Sequence, residues 1–286
     1  MSLVHLQIRP SDCDIYGHVN NAVYASYFEQ TLAQHLAALG FSDDWQPDSP
    51  CFWAPQSLTL EYRQAATYGD PLEGRVWLAK LDGVRPAFGF DILRPARFPD
   101  HPALALFRAV GSWARYFKNS GEPQEIPTAL LARFPNDEGS LPRERRPVSP
   151  SSDVRKYSFD HRVQRSEAAP SGHLHLQAFY RLLEESLSNS CEQAGWPVER
   201  WLAAGFFTVQ TRHDSQILSL PKAGETVRMT SQLVESRRLG GTWQLEMQRG
   251  ADGQVLARDY STGVHLNLEG HPASPPVQIL KDIQFG

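Results

Sequence analysis

The sequence contains few cysteines and no long apolar segment, and both absences narrow the class of protein. Its 286 residues include three cysteines, at positions 13, 51 and 191. They form no CxxC pair and no Cys/His cluster of zinc spacing, so we expect a reduced, cytoplasmic protein without a bound metal. No apolar run approaches the roughly 20 residues of a membrane-spanning helix, and the first residues do not resemble a signal peptide, so we expect no membrane partner.

An excess of positive charge and nucleotide-binding motifs are also absent. The 28 Lys and Arg residues against 32 Asp and Glu give a net charge of −4, which offers no basic surface to nucleic acid. No GxxxxGK[ST] or GxGxxG string occurs, so no nucleotide cofactor is expected. Hydrophobic residues make up 41% of the chain, which is enough for packed cores. A chain of this length and composition is expected to form two domains.

One pattern occurs twice, at a spacing of 155 residues. Gly17 and His18 precede a long amphipathic stretch that ends at Gly40, and Gly172 and His173 precede a similar stretch that ends at 195. Apolar residues recur every three or four positions in both stretches, which indicates helices, and β-branched and aromatic segments broken by turns follow each one. Glycines, helix ends and strand patterns match in one ungapped register, so we predict an internal duplication of one α+β domain.

The predicted boundaries follow from this repeat and from composition. We expect an N-terminal domain at 1–118, a linker at 119–156, a C-terminal domain at 157–270 and a tail at 271–286. The linker is rich in proline and its acidic and basic residues balance, which is typical of a flexible, solvated segment. The predicted helices cover 23–39 and 176–194, and the predicted strands cover 57–62, 72–81, 87–93, 103–117, 206–211, 226–235, 242–249 and 255–268.

The string Asp-Cys-Asp-Ile-Tyr-Gly-His-Val-Asn-Asn-Ala-Val-Tyr at positions 12–24 carries the most specific chemistry. A carboxylate just before a helix lies beside unpaired backbone N–H groups and the positive end of the helix dipole. Those N–H groups can polarise a carbonyl oxygen, and Asp14 can attack the carbonyl carbon or activate a water. Gly17 lets the backbone approach a ligand closely. The same residue types are common helix N-caps, so an acyl-transfer site and a simple cap both remain open on physical grounds.

The string resembles the signature of hotdog-fold thioesterases of the 4-hydroxybenzoyl-CoA thioesterase and acyl-CoA thioesterase families. That signature reads D-x-D-x-x-G-H-V-N-N-x-x-Y and is followed by a glutamate on the helix, which here is Glu29. The resemblance covers roughly residues 3–118 and includes the turn Tyr68-Gly69-Asp70. It implies tandem hotdog domains, each with a long central helix wrapped by an antiparallel sheet.

The resemblance also implies roles for individual residues. Asp14 is the catalytic base or nucleophile, His18 assists it, and the amides of Gly17 and His18 hold the thioester carbonyl. Asp12 and Glu29 are expected to support the catalytic residues. The residues expected to contact the substrate are Tyr16, Asn20, Asn21 and Tyr24.

The C-terminal copy lacks the acid at the matching position. Ala169 stands where the N-terminal copy has Asp14, and a methyl group cannot act as base or nucleophile. The other matched positions are Glu167, Gly172, His173, His175, Leu176 and Glu184. Single hotdog domains of this family usually pair, so the resemblance implies a pseudo-dimer within one chain, with one intact site. Further dimerisation of the chain is left open.

The expected function is hydrolysis of a small-molecule acyl-CoA to a carboxylic acid and CoA, without cofactor or metal. A non-catalytic acyl-CoA or acyl-carrier binding protein is one alternative, and an acyl-ACP thioesterase is another. Plant-type acyl-ACP thioesterases carry an Asp-x-Asn-x-His series, in which Tyr16 replaces the asparagine here, so we favour CoA. A hotdog hydratase ranks last, because Asp14 and His18 lack the required spacing and no Asn-Pro lies between them.

Overall fold

The computed structural model describes residues 3–96, 103–135, 140–143, 145, 148 and 153–285. Part of the predicted linker therefore lies outside the described residues. The chain divides into two compact units, the first made of Met1–Arg143 with Ala168–Gln177 and the second of Glu144–Glu167 with Ala178–Gly286. Among the described residues, no helix is both long enough and apolar enough to span a bilayer.

The first unit is built from one long helix and an antiparallel sheet. Its strands follow the spatial order β1-β3-β4-β5-β2, and β6 pairs with β5. The elements are β1 (Val4–Leu6), α1 (Asn21–Leu36), β2 (Cys51–Tyr62), β3 (Leu72–Lys80), β4 (Ala87–Arg94), β5 (Leu104–Phe117), β6 (Pro123–Gln124) and the short helix α2 (Thr128–Leu131).

Helix α1 packs closely on this sheet and is buried over much of its circumference. The ring of Phe28 stacks on Phe90 of β4 with 4.7 Å between centroids, and its edge meets Trp113 of β5. A Cβ on Gly74 of β3 would lie 2.4 Å from Thr31 Oγ1. Glycine at this position therefore lets the helix approach the strand.

The second unit repeats the topology. Its strands follow the order β7-β9-β10-β11-β8, which is the order of the first unit when β1 is matched with β7 and β2 with β8. The elements are β7 (Tyr157–Arg162), α3 (Leu176–Gln193), α4 (Val198–Ala203), β8 (Phe206–Ile217), β9 (Thr226–Arg237), β10 (Gly240–Arg249), β11 (Val255–Asn267) and α5 (Val277–Gln284). The expected α+β fold with two copies of one domain is confirmed.

Several elements extend beyond the predicted ones. Strand β2 begins at Cys51, before its predicted start. Proline normally argues against a strand, but the strand can contain Pro55 because this residue lies at a bulge where the pairing shifts. Strand β8 continues to Ile217 through a polar run whose Arg212 and His213 are buried. The α-helical part of α1 ends at Leu36, and a wider turn follows.

The segments expected to be linker and tail contain regular structure. Within 119–156, β6 pairs with β5 and the side chain of Leu131 in α2 is buried. In the tail, Ile279 and Ile283 of α5 are buried, and the Tyr157 hydroxyl donates to the carbonyl of Ile283 over 2.5 Å. The spacing of these two isoleucines places both on one helix face, and that face covers the second unit.

Candidate active site

A tight hairpin (residues 12–20), called here the Asp14 hairpin, leads directly into α1. The Asp14 N–H donates to the His18 carbonyl over 2.8 Å, and the Asn20 N–H donates to the Asp12 carbonyl over 2.9 Å. At the tip, the Gly17 N–H donates to the Asp14 carbonyl over 3.0 Å. Gly17 has φ of +78°, a left-handed conformation that favours glycine. The turn therefore requires the glycine that the sequence motif contains.

The Asp14 carboxylate is held by one of its two oxygens. Oδ1 accepts hydrogen bonds from the Tyr16 N–H at 2.9 Å and the His18 N–H at 3.3 Å. Oδ2 has no hydrogen-bond partner among the described residues, and the side chain is half-buried. One oxygen thus fixes the orientation of the carboxylate within the hairpin. The other oxygen is available to a water or a substrate carbon.

The two amides expected to hold a thioester carbonyl already make hydrogen bonds inside the hairpin. The Gly17 N–H bonds the Asp14 carbonyl and the His18 N–H bonds the Asp14 carboxylate. A substrate oxygen would reach these amides only by replacing one of these bonds. The sequence does not show that the Asp14 backbone carbonyl bonds one of these amides and its carboxylate bonds the other.

The asparagines of the motif lie at the start of α1. Asn20 is the N-cap, and its side chain accepts a hydrogen bond from the Ala22 N–H over 3.0 Å. The carbonyl of Asn21 accepts a hydrogen bond from the Tyr62 hydroxyl over 3.1 Å. Asn20 therefore has the capping role that its residue type allows on physical grounds.

Tyr24 lies in the core of the first unit and is 2% exposed. Its ring packs against Tyr62 and Phe107, and its hydroxyl accepts a hydrogen bond from the Ala66 N–H over 2.9 Å. Burial raises the pKa of Tyr24 to about 12, so the hydroxyl stays neutral. The structure places this predicted substrate contact inside the protein, where it holds a neighbouring loop.

Asp12 accepts two hydrogen bonds on Oδ2, from the Arg9 N–H at 2.8 Å and from the Tyr27 hydroxyl at 3.0 Å. Burial and the adjacent Asp12 charge raise the pKa of Tyr27 well above its ordinary value, so the hydroxyl remains a donor. Tyr27 falls on the apolar stripe of α1, so its residue type and position predict a core residue rather than a site residue. The feature of the sequence that points to Tyr27 is its position, one helical turn after the motif residue Tyr24.

Glu29 lies on α1, one helical turn beyond Ser26. Its carboxyl is half-buried and makes no hydrogen bond or ion pair to any of the described residues. Burial raises the pKa of this carboxyl to about 7, because water no longer stabilises the charged form fully. The first unit therefore contains, apart from Asp14, a carboxyl whose pKa lies near neutral pH.

The other predicted side chains around Asp14 are exposed. Tyr16 is 53% exposed and its neighbour Ile15 is 90% exposed. His18 is also exposed, and its backbone pairs with Thr67 in an isolated bridge. A surface depression of about 460 Å³ lies nearby, but none of the predicted site residues lines it; its lining residues are His5, Leu6, Gln7, Ile8, Tyr68, Gly69 and Asp70.

The C-terminal copy forms the same hairpin without the acid; we call it the Ala169 hairpin (residues 167–175). The Ala169 N–H donates to the His173 carbonyl over 2.8 Å, and the Gly172 N–H donates to the Ala169 carbonyl over 2.8 Å. Gly172 has φ of +82°. Ala169 offers no carboxylate to the His173 N–H, which donates to Ser171 Oγ over 3.4 Å. The backbone of the hairpin is thus repeated and its carboxylate is not.

Two further contacts recur in both copies and belong to the fold. Glu167 accepts a hydrogen bond from the Gln164 N–H over 2.7 Å, as Asp12 does from the N–H three residues earlier. Asp70 pairs with Arg94 at 2.6 Å, and the matched Glu225 and Arg249 lie 3.8 Å apart. Asp12 therefore has a structural function that does not depend on catalysis.

Metal chemistry has no obvious site in the part of the chain that the structure describes. There, no three His, Cys, Asp or Glu side chains come together as a metal site.

Comparison with known proteins shows what the first part of the chain resembles. Residues 8–134 match the model of the Thioesterase-like superfamily. The chain is 24% identical over 131 residues to the chloroplastic acyl-acyl carrier protein thioesterase ATL3 of Arabidopsis thaliana, a match that covers 46% of this chain and 66% of that protein. The match thus spans slightly less than two thirds of the relative's length.

Three solved structures share the fold over nearly the whole chain. A Lactobacillus plantarum protein assigned as an oleoyl thioesterase has a TM-score of 0.72 at 14% identity, covering 96% of both chains. An acyl-ACP thioesterase from Bacteroides thetaiotaomicron has a TM-score of 0.68 at 13% identity, covering 92% of this chain and 97% of that one. The 12:0-ACP thioesterase from Umbellularia californica has a TM-score of 0.66 at 11% identity, covering 92% and 93%. The resemblance to hotdog-fold thioesterases found in the sequence is confirmed: residues 8–134 match the family model, and the chain shares its two-domain fold with these three solved structures.

Proposed function

We propose that the protein hydrolyses an acyl thioester to a carboxylic acid and a free thiol, with Asp14 as the catalytic carboxylate. One observation carries this proposal. Asp14 Oδ1 is anchored by two backbone N–H groups, whereas Oδ2 has no hydrogen-bond partner among the described residues. Such a carboxylate is held in one orientation and keeps one oxygen able to react. The match of residues 8–134 to the Thioesterase-like superfamily supports thioester hydrolysis as the reaction.

Two chemical routes use the free oxygen. As a general base, Oδ2 takes a proton from a water, whose oxygen attacks the thioester carbon; the tetrahedral intermediate then expels the thiolate, which accepts the proton. As a nucleophile, Oδ2 attacks the carbon itself, expels the thiolate and forms a mixed anhydride that water hydrolyses. In both routes negative charge develops on the carbonyl oxygen. The amides of Gly17 and His18 are the proposed donors to it, each by replacing its hydrogen bond within the hairpin, and the Tyr16 N–H then remains to hold Asp14 Oδ1. Tyr16 and the His18 side chain, exposed beside Asp14, are proposed to contact the substrate.

The carrier of the acyl group is a second question. The sequence favours CoA, because Tyr16 replaces the asparagine of the plant-type series. The Arabidopsis relative and two of the structural relatives are named for acyl-carrier-protein substrates, and these names favour an acyl-ACP. We therefore propose acyl-CoA and acyl-ACP as the two candidate substrates of one site.

The test measures release of free thiol from a panel of acyl-CoA and acyl-ACP thioesters. Asp14→Asn keeps an oxygen that can accept the hairpin N–H bonds but removes the reactive carboxylate. We expect it to lower kcat by about 100- to 10,000-fold, the usual range for loss of a general base, with little change in Tm. The matched control is Asp48→Asn, because Asp48 is also an aspartate of the first unit and is exposed.

Each result of this test bears on a different part of the proposal. Turnover by Asp14→Asn at the wild-type rate would exclude Asp14 as the catalytic group. Thermal stabilisation of the wild type by an acyl thioester, without any release of thiol, would favour the binding-protein alternative. The ratio of kcat/KM for the two carriers decides between acyl-CoA and acyl-ACP.

A further inference from the structure

Two tyrosine hydroxyls of α1 connect this helix to the two loops beside Asp14. The Tyr27 hydroxyl donates to Asp12 Oδ2 over 3.0 Å. The Tyr24 hydroxyl accepts from the Ala66 N–H over 2.9 Å. The two tyrosines are three residues apart and therefore lie on the same side of the helix. Each hydroxyl links a buried, rigid element to a loop.

One more backbone hydrogen bond connects each of the two bonded residues, Asp12 and Ala66, to the far end of the Asp14 hairpin. The Asp12 carbonyl accepts from the Asn20 N–H over 2.9 Å and closes the open end of the hairpin. The Ala66 carbonyl accepts from the Val19 N–H over 2.8 Å. The hairpin that carries Asp14 is therefore tied to α1 through both tyrosines, by two separate routes.

The C-terminal copy, which has lost the acid, has lost both hydroxyls as well. Phe179 stands at the position of Tyr24, and the residue matched to Ala66 is Pro221, which has no N–H to donate. The donor and the acceptor of this bond are therefore both absent. Leu182 stands at the position of Tyr27, and the acid matched to Asp12 is bonded instead by His161 at 2.9 Å.

The hairpin itself does not depend on these hydroxyls. Without them, the Ala169 hairpin keeps the two backbone hydrogen bonds of its turn, from Ala169 to His173 and from Gly172 to Ala169, and the positive φ at its glycine. Folding of the loop therefore does not explain why the N-terminal copy has two buried tyrosine hydroxyls. The need to position the Asp14 carboxylate accurately does explain the two hydroxyls, because a reacting carboxylate has to be held within about 0.5 Å of its productive position.

We infer that Tyr24 and Tyr27 are positioning residues, whose hydroxyls hold the Asp14 hairpin in the geometry that catalysis needs. This inference rests on the proposed function of Asp14. Neither hydroxyl touches the substrate: Tyr24 acts through Ala66 and Tyr27 acts through Asp12. The role of Tyr24 thereby changes from the substrate contact expected from the sequence to a support of the hairpin.

The experiment replaces each hydroxyl by hydrogen. We expect Tyr24→Phe and Tyr27→Phe each to lower kcat by about 10- to 100-fold, since a displacement of about 1 Å has effects of this size. KM is expected to stay within about three-fold. The matched control is Tyr180→Phe in α3, because this buried hydroxyl also makes a hydrogen bond, to Ser215 Oγ at 3.0 Å, but lies in the copy without the acid. We expect the control to keep the wild-type kcat.

A double-mutant cycle separates positioning from a general loss of stability. If Tyr27 acts through Asp12, the double variant Tyr27→Phe/Asp12→Ala has the kcat of the slower single variant, so the two effects do not add. Additive effects would overturn this route. Measuring Tm of each variant shows whether a slow variant is also an unfolded one.

The outcomes distinguish this inference from the proposed function. If Asp14→Asn is inactive while both tyrosine variants keep the wild-type kcat, the inference is wrong and the proposed function stands. An equal loss of kcat in Tyr180→Phe would also overturn it, because any buried hydroxyl would then have the same effect. A wild-type chain that releases no thiol from any substrate would overturn the proposed function, and the inference with it.

Discussion

Asp14 and Ala169 occupy the same position in two hairpins of one chain. In each hairpin the N–H of this residue donates to the carbonyl of the histidine four positions later, over 2.8 Å. The backbone conformation of the turn is therefore shared, and at this position one copy has a carboxylate and the other a methyl group. Because of this difference, each variant of the N-terminal hairpin has a natural control in the C-terminal one.

The first prediction uses the two glycines of these hairpins. Gly17 has φ of +78° and Gly172 has φ of +82°, and a Cβ would meet no other atom within 4 Å at either position. Alanine is strained in this conformation, so we expect Gly17→Ala and Gly172→Ala each to destabilise the protein by about 1 kcal/mol. Only Gly17→Ala is expected to slow thiol release, because only its hairpin carries the acid. Urea unfolding and the thiol assay measure the two effects.

Equal stability losses with unequal activities would support this prediction. Loss of activity in Gly172→Ala, at a temperature where the protein stays folded, would show that the Ala169 hairpin contributes to the reaction. The interpretation of the C-terminal copy as catalytically silent would then be wrong.

The sequence predicts the repeated fold well, because the repeat is encoded in local backbone requirements. Gly40 and Gly195 both have positive φ at the matched helix ends, and Gly69 and Gly224 both have it in the matched turns. A positive φ strongly restricts the residue type. Such positions therefore remain glycine in both copies even where side chains differ, and they reveal the register.

The contacts of the candidate site were harder to predict. The bond between Tyr27 and Asp12 joins residues 15 positions apart, and on an amphipathic helix a tyrosine of the apolar stripe looks like a core residue. The raised pKa of Glu29 depends on burial that three-dimensional packing creates. The internal use of the His18 N–H by Asp14 depends on the turn geometry rather than on the residue types.

The second prediction concerns the pH dependence of stability through Glu29. Burial raises the pKa of this carboxyl to about 7 from an ordinary value of 4.5. Between these two values the folded state binds more protons at this site than the unfolded state does, so stability decreases as pH rises from 4.5 to 7. At a half-buried site this amounts to about 1–2 kcal/mol after solvent screening.

Glu29→Gln removes this titration. Relative to the wild type, we expect the variant to gain stability at pH 8 and to gain little at pH 4, as measured by unfolding at both values. Since Asp14 is the proposed catalytic group, we expect the variant to keep at least about one tenth of the wild-type kcat. A loss of more than about 100-fold would instead assign the base to Glu29.

The third prediction concerns a buried polar network in the second unit. His213 Nδ1 lies 2.8 Å from Asp259 Oδ2, the Ser215 hydroxyl donates to Asp259 Oδ1 over 2.6 Å, and both His213 and Asp259 are fully buried. Burial alone would lower the pKa of His213, but the charge and hydrogen bond of Asp259 raise it above its ordinary value. The corresponding positions of the first unit are all apolar and buried, namely Leu58, Leu60 and Ala109.

Breaking this network and replacing it have different expected costs. Asp259→Ala alone leaves His213 and Ser215 buried without their acceptor, and we expect a loss of about 3–5 kcal/mol. The triple variant His213→Leu/Ser215→Leu/Asp259→Ala copies the apolar residues of the first unit. It is made in a Tyr180→Phe background, because the buried Tyr180 hydroxyl would otherwise lose its partner Ser215, and we expect its stability to lie within about 2 kcal/mol of that background. Urea unfolding of both variants measures the difference. If the triple variant is as unstable as Asp259→Ala, the network is integral to the packing of the second unit, and the apolar layer of the first unit cannot substitute for it.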